Sequence, residues 1–306
     1  MKIVILEPLG VPVDFLKNAI TQTIGSQHEL CFYPDRKEDI PSLIQRCQQA
    51  DIVVFSNIPY RKEVIEHCPH LKAICIAFTG MDHVDLDYCQ QRQIRVMNCA
   101  GYSTVAVADL VFGLALTLAR NIKSCDNACR NGLTKNGLIG YELEGKRFGI
   151  IGLGAIGQRV AKIANAFGCE VLAYTRTPKE VEGVVLTDLH TLMSQCDIVS
   201  LHIPLNDDTR GMIGDKELSW MKSDAILINT ARGGVIKTDA LVKALKEHRI
   251  AGTGIDVFDM EPPIPKNYEL MQCNNAIFTP HVGFATQQAF EKRAYIIAQN
   301  LKEMVS

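Results

Sequence analysis

Residues 148–176 read FGIIGLGAIGQRVAKIANAFGCEVLAYTR. The apolar run 148–153 is too short for a helix and is punctuated by glycine, which predicts a buried strand. Gly152, Gly154 and Gly157 follow in GxGxxG spacing. An apolar pattern of helical period runs from Ile156 to Phe167 and stops at Gly168, and 170–175 reads as a second buried strand. Strand, glycine turn, helix and strand within about thirty residues are the parts of a βαβ unit that binds a dinucleotide. Gly152 permits the tight turn, Gly154 lets a pyrophosphate approach the backbone, and Gly157 lets helix and strand pack closely. The free N–H groups and positive end of the helix then face the phosphates. The ordinary alternative, a tight βα turn with no ligand, lacks a reason for three glycines at this spacing.

The rest of the chain has the same grain. Before the fingerprint, strands are expected at 2–7, 29–33, 51–55, 72–77 and 94–98, with helices at 14–23, 40–50, 61–67 and 85–92. After it, strands are expected at 197–202, 225–229, 250–256 and 276–279, with helices near 187–195, 214–221 and 238–248. Such alternation predicts α/β architecture with two doubly wound parallel-sheet domains. The second sheet should hold six strands. No glycine fingerprint follows the first strand, where Glu7-Pro8-Leu9-Gly10 makes a different turn, so the first domain is not expected to bind the dinucleotide. The segment 101–120 is apolar nearly all round, with Asp109 its only acid, and reads as a buried helix that Ser103 or Thr104 can cap. Residues 121–144 are polar, show no core face and read as an excursion that could serve as a dimer arm. Residues 287–305 read as one amphipathic helix.

Bulk properties exclude several classes. With 306 residues the chain can bury two cores, and 47% apolar with 22% charged residues is ordinary for a globular protein. A net charge of −2 offers no field for nucleic acid or an anionic membrane. Met1-Lys2 leads straight into an apolar strand, so no secretory leader is expected. Eleven cysteines, an odd number scattered through apolar segments, point to a reducing compartment such as the cytoplasm rather than to a disulfide framework. Neither Cys125 with Cys129 nor the cluster His67-Cys68-Pro69-His70 has a second ligand pair, so no metal site is expected.

Three polar groups each follow a predicted strand of the second domain: Arg232 in NTARGG, Asp256 and Glu261 in DVFDMEP, and His281 in PHVG. Parallel topology puts them on one edge, with the glycine turn. An arginine, a carboxylate and a histidine beside a dinucleotide are what reduction of a 2-oxo acid requires. The guanidinium fork grips the substrate carboxylate and polarises the carbonyl. The histidine gives a proton to the developing alkoxide, and the carboxylate favours its charged form. Singly, Arg232 reads as a surface cation, Glu261 as a loop acid and His281 as a helix cap; their joint placement favours catalysis.

The chain resembles the D-isomer-specific 2-hydroxyacid dehydrogenases over essentially its whole length. The matching motifs are GYST with VAVADL, GLGAIG, LHIPLNDDT, INTARGG, GIDVFDMEP and TPHVG, in the family's order. The resemblance implies a flavodoxin-like substrate domain, 1–99 with 285–306, and a Rossmann dinucleotide-binding domain, 100–284. It implies catalytic roles for Arg232, Glu261 and His281, and a nicotinamide-holding role for Asp256. It implies cofactor contacts at Thr104, Gly152, Gly154, Ala155, Ile156, Gly157, Pro204, Thr209, Ala231 and Gly283. The run AFTGMDHVD is similar to the family's substrate loop, which places Phe78 at the substrate and the Thr79 and Gly80 N–H groups on its carboxylate. A homodimer is implied too. GYST and SNIPY look most like glycerate dehydrogenases and hydroxypyruvate reductases, hence a glyoxylate or hydroxypyruvate type of substrate. A dinucleotide-sensing corepressor on the same fold remains the alternative of another class. Two departures stand out. Asp109 replaces a longer acid or amide. Thr175 stands where most NAD-dependent members have aspartate, with Arg176 and Thr177 beside it, which favours NADP(H) over NAD(H).

Overall fold

The computed structural model describes residues 1–306, which divide into two compact units, Met1–Ser103 with Ala285–Ser306, and Thr104–Phe284. The first holds five strands, β1 (Lys2–Ile5), β2 (Glu29–Phe32), β3 (Ile52–Phe55), β4 (Ala73–Ile76) and β5 (Arg95–Asn98), all parallel in the order β2-β1-β3-β4-β5. The central strands β3 and β4 read IVVF and AICI and are buried at every position. A parallel sheet covered by helices on both faces requires such continuous apolar runs. The C-terminal helix Gln287–Val305 belongs to this unit and packs on the helix Val13–Ile24, where the Phe15 and Tyr295 rings meet edge to face at 5.7 Å.

The second unit carries β6 (Arg147–Ile151), β7 (Glu170–Tyr174), β8 (Val184–Leu186), β9 (Ile198–Leu201), β10 (Ile226–Asn229), β11 (Gly252–Ile255) and β12 (Ala276–Phe278). All are parallel, in the order β12-β11-β10-β9-β6-β7-β8. The order reverses beside β6, so the crevice outside its carboxyl end is where this topology binds ligands.

One expectation is corrected. The sheet has seven strands rather than six, because Val184–Leu186 pairs with β7. That strand is three residues long and half-exposed at the sheet's edge, and its partner's register defines it more than its own sequence does. Within the excursion 121–144, Ile122–Arg130 is helical. Only Ala128 of it is buried, so no apolar stripe announces the helix, while an Arg130–Asp126 pair at 2.7 Å supports it locally. The helix Thr104–Ala119 buries eight of its sixteen residues, and Asp109 lies on its exposed side. No single helix is long and apolar enough to cross a membrane. All eleven cysteines are free thiols.

Candidate active site

The glycine turn differs at each of its three positions. Gly152 has φ 100°, a left-handed geometry that favours glycine, and its N–H donates to Tyr174 O of β7 at 2.8 Å. A methyl group built on Gly157 would collide with the Gly152 carbonyl oxygen, so the helix Ala155–Ala166 can press on the turn only without a side chain there. A methyl group on Gly154 would meet no atom within 4 Å. The space over Gly154, at the start of a twelve-residue helix, is thus open on the ligand side, and the turn fits a dinucleotide pyrophosphate. Ala155 and Ile156 form the first turn of that helix.

The other residues expected at the cofactor lie on further loops and helix starts of the same unit. Thr175, Arg176 and Thr177 follow β7 directly; Arg176 and Thr177 are exposed, and Thr175 Oγ1 reaches Thr177 O at 3.5 Å. Thr209 is committed to its own loop, donating to Pro204 O at 2.7 Å and accepting from Asn206 N at 2.9 Å, so it shapes the turn after β9. His202, in the same loop, has its imidazole packed in, which pushes its pKa down to about 3. Thr104 opens the helix Thr104–Ala119.

The carboxyl ends of β10, β11 and β12, three neighbouring strands, carry the acid–base residues. After β10, Asn229 folds the chain back: its Nδ2 donates to Arg232 O at 2.9 Å, and its Oδ1 accepts from Ala231 N at 3.0 Å. Arg232 Nη1 then donates to Ala231 O at 2.8 Å. Gly233 sits against the backbone of Phe258, where any β-carbon would collide, so this loop abuts the one after β11.

Asp256 organises the third loop. Its carboxylate is 1% exposed and accepts from Thr279 Oγ1 at 2.6 Å, Val282 N at 2.8 Å and Gly283 N at 2.8 Å. Its backbone oxygen accepts from His281 N at 2.8 Å. The carboxylate captures the two successive N–H groups after His281 and the Asp256 carbonyl takes the His281 N–H itself, which holds His281 in a left-handed conformation, φ 56°. Three of the carboxylate's four acceptor positions are thereby occupied, leaving one on Oδ2. His281 Nδ1 lies 2.8 Å from Glu261 Oε2 and 3.1 Å from Oε1. A ring nitrogen facing a carboxylate carries a proton, which leaves Nε2 as the nitrogen for exchange. The loop bearing Glu261 is braced by Tyr268, whose hydroxyl donates to Asp259 Oδ1 at 2.7 Å.

In the first unit, residues 78–80 follow β4. Phe78 is buried, and its O accepts from Cys99 N at 3.0 Å. Thr79 O accepts from Asn98 Nδ2 at 2.6 Å. The N–H groups of Thr79 and Gly80 donate to no group of the protein. Phe55, Ile58 and Tyr60 are fully buried, with the Phe55 and Tyr60 rings stacked at 4.8 Å, and support their loop from beneath. Asn98, Asn229 and Thr279 escaped the sequence reading. Their common signal is a hydrogen-bonding side chain in the last or first position where a strand gives way to a loop.

Comparison with known proteins points to a family. Residues 112–283 match the family described as D-isomer specific 2-hydroxyacid dehydrogenase, NAD binding domain. The chain is 42% identical over 272 residues to a glyoxylate reductase of Thermococcus litoralis, covering 85% of this chain and 82% of that one. It is 38% identical over 275 residues to a glycerate dehydrogenase of Methylorubrum extorquens, covering 86% and 85%. Among solved structures, an acyclic imino acid reductase in complex with NADPH and D-Arg superimposes with a TM-score of 0.92 at 34% identity, covering 100% of this chain and 97% of the other.

Proposed function

The chain belongs to the D-isomer specific 2-hydroxyacid dehydrogenase family, and from that premise we propose that it reduces small, unphosphorylated 2-oxo acids of the glyoxylate or hydroxypyruvate kind with NADPH. That it is an NAD(P)-dependent oxidoreductase acting on 2-oxo acids follows from the family and its relatives. The observation that carries the rest is the His281–Glu261 contact, on a strand end two strands from Arg232 in the same sheet.

In this reading the Arg232 fork grips the substrate carboxylate and polarises the carbonyl, and the Thr79 and Gly80 N–H groups belong to the substrate loop of the first unit. When bound, the nicotinamide supplies a hydride to the carbonyl carbon. His281 Nε2 passes its proton to the carbonyl oxygen, so a 2-oxo acid, a hydride and a proton give the D-2-hydroxy acid. Glu261 holds Nδ1 protonated and the imidazole in place while Nε2 gives up its proton. Gly152, Gly154, Ala155, Ile156 and Gly157 would hold the pyrophosphate, with Thr104, Pro204, Thr209, Ala231, Asp256 and Gly283 as further cofactor contacts. Thr175, Arg176 and Thr177 would receive the adenosine ribose. With no acid there and Arg176 exposed, a 2′-phosphate is favoured. An NADPH complex of a solved relative is consistent with this.

The exposed apolar residues Ile122, Leu133 and Ile139, the last 89% exposed, support the segment 121–144 as the arm of a homodimer. The free thiols favour work in the reducing cytoplasm. Turnover with glyoxylate, hydroxypyruvate, pyruvate and phenylpyruvate, each with NADPH and NADH, tests the activity. Oxidation of neither cofactor with any of the four would overturn it and leave the corepressor reading standing. Sedimentation at micromolar concentration tests the dimer, which a monomer would refute.

A further inference from the structure

Arg293 is a buried cation without a counter-ion. It lies in the helix Gln287–Val305, is 3% exposed, and no carboxylate stands within ion-pair distance of it. Its Nη1 donates to Ala77 O at 3.0 Å and its Nη2 to Leu9 O at 2.6 Å. Its guanidinium lies over the Phe290 ring at 4.8 Å and the Tyr102 ring at 5.3 Å, and its Nε has no partner. Burying a charge this way is costly unless something offsets it. Ala77 is the residue before the loop 78–80.

Three consecutive carbonyls leading into and along that loop are held: Ala77 O by Arg293, Phe78 O by Cys99 N, and Thr79 O by Asn98 Nδ2. In a trans peptide the carbonyl and the next N–H point oppositely, so each fixed oxygen also sets the direction of the N–H that follows. Phe78 O and Thr79 O thereby aim the Thr79 and Gly80 N–H groups, which donate to nothing in the protein, and Ala77 O anchors the peptide before them. Asn300, seven residues from Arg293 and so on the same helical face, donates to Asn98 O at 2.9 Å. One helix thus holds the residue before the loop and the β5 end whose Asn98 side chain holds Thr79 O.

We propose that Arg293 is a positioning residue for the substrate carboxylate: it fixes the Ala77–Phe78 peptide and places an uncompensated positive charge behind the N–H groups that receive the anion. This rests on the reading of 78–80 as the carboxylate site. The charge sits in a low-dielectric interior, where it acts on an anion more strongly than a surface cation would.

Oxalate, a planar anion that cannot be reduced here, separates this idea from the reductase reading. Calorimetry on the NADPH-loaded protein should show Arg293→Met weakening oxalate about ten-fold, with a matching rise in KM for glyoxylate. Turnover number and NADPH affinity should stay within about two-fold of the parent, since uniform binding is what is lost. Arg293→Lys keeps the charge but cannot span Leu9 O and Ala77 O, and should fall between parent and Met variant. Should the Met variant fail to fold, the Lys variant decides alone: weaker oxalate binding supports the proposal, and parental affinity overturns it. A folded Met variant with parental oxalate affinity and KM overturns it also, as does equal loss of NADPH affinity in both variants. A parent that binds oxalate yet reduces no 2-oxo acid would strike down the reductase reading and spare this one.

Discussion

His281 Nδ1 sits 2.8 Å from Glu261 Oε2, and the backbone N–H groups on the far side of His281 are held by Asp256. Orientation and charge therefore reach the imidazole from two different acids. His281→Ala should abolish turnover and leave NADPH binding intact, because the glycine turn lies elsewhere in the unit. Glu261→Gln should fold like the parent and lower kcat about ten-fold or more, because a neutral amide no longer fixes the imidazole for proton transfer. Parental kcat in Glu261→Gln would end the pairing.

Asp256 invites a separate test. In Asp256→Asn the amide keeps one oxygen, so its NH2 must face an N–H or a hydroxyl that the carboxylate formerly accepted from. Leaving a buried donor unsatisfied costs about 1–3 kcal/mol. The variant should melt several degrees below the parent and lose kcat more than NADPH affinity, measured by calorimetry and steady-state kinetics. Parental melting together with parental kcat would show that the loop does not need the charge.

The fold was largely readable because its central strands are unbroken apolar runs, as in IVVF and AICI, and a parallel sheet buried on both faces leaves such runs little choice. The edge strand Val184–Leu186 was not, because its identity comes from the neighbour's hydrogen bonds. At the site, residues with unmistakable chemistry stood out: Arg232, Glu261 and His281 at strand ends, and the spaced glycines. Arg293 did not, since within an amphipathic helix it looks like any solvated cation until its burial is seen. Asn98 and Thr279 were hidden for a similar reason. A side chain that orders a backbone needs tertiary partners to be recognised.

The three glycines of the turn should separate by experiment. Gly154→Ala places a methyl group in open space, so the protein should fold and melt like the parent while binding NADPH and NADH at least ten-fold more weakly. Gly157→Ala forces the helix off the turn and should lower stability first, with most variant protein insoluble or melting early. Calorimetric titration and thermal melts read both. If Gly154→Ala bound dinucleotide normally, the turn would not be the pyrophosphate site.

His202 supplies a pH dependence of stability. Burial lowers its pKa from 6.5 to about 3, although some of the residue's surface reaches solvent, which tempers the size of the effect and not its sign. The unfolded chain then binds a proton more readily than the folded one, so stability rises with pH across that interval. Its contribution is complete above about 6.5 and shrinks as pH falls towards 3. Urea midpoints measured from pH 7 to pH 4 should therefore decline less in His202→Gln than in the parent. Parallel declines would mean that other groups govern acid sensitivity.

The proposed preference for NADPH rests on Arg176. In NAD enzymes of this topology an acid at the end of the second strand accepts both ribose hydroxyls and repels a 2′-phosphate. Here the strand β7 ends at Tyr174 and is followed by Thr175, Arg176 and Thr177, with no carboxylate among them. Arg176 is exposed and can offer its fork to a phosphate, and Thr175 and Thr177 can add hydroxyl donors. The parent should therefore show a higher kcat/KM with NADPH than with NADH. Arg176→Ala should cut the NADPH value about ten-fold or more and leave the NADH value nearly unchanged, because only the 2′-phosphate loses its partner. Thr175→Asp should go further and reverse the preference, by repelling that phosphate and accepting the ribose hydroxyls. Equal loss with both cofactors in Arg176→Ala would assign the arginine to the adenine ring instead, and a parent that prefers NADH would refute the reading outright.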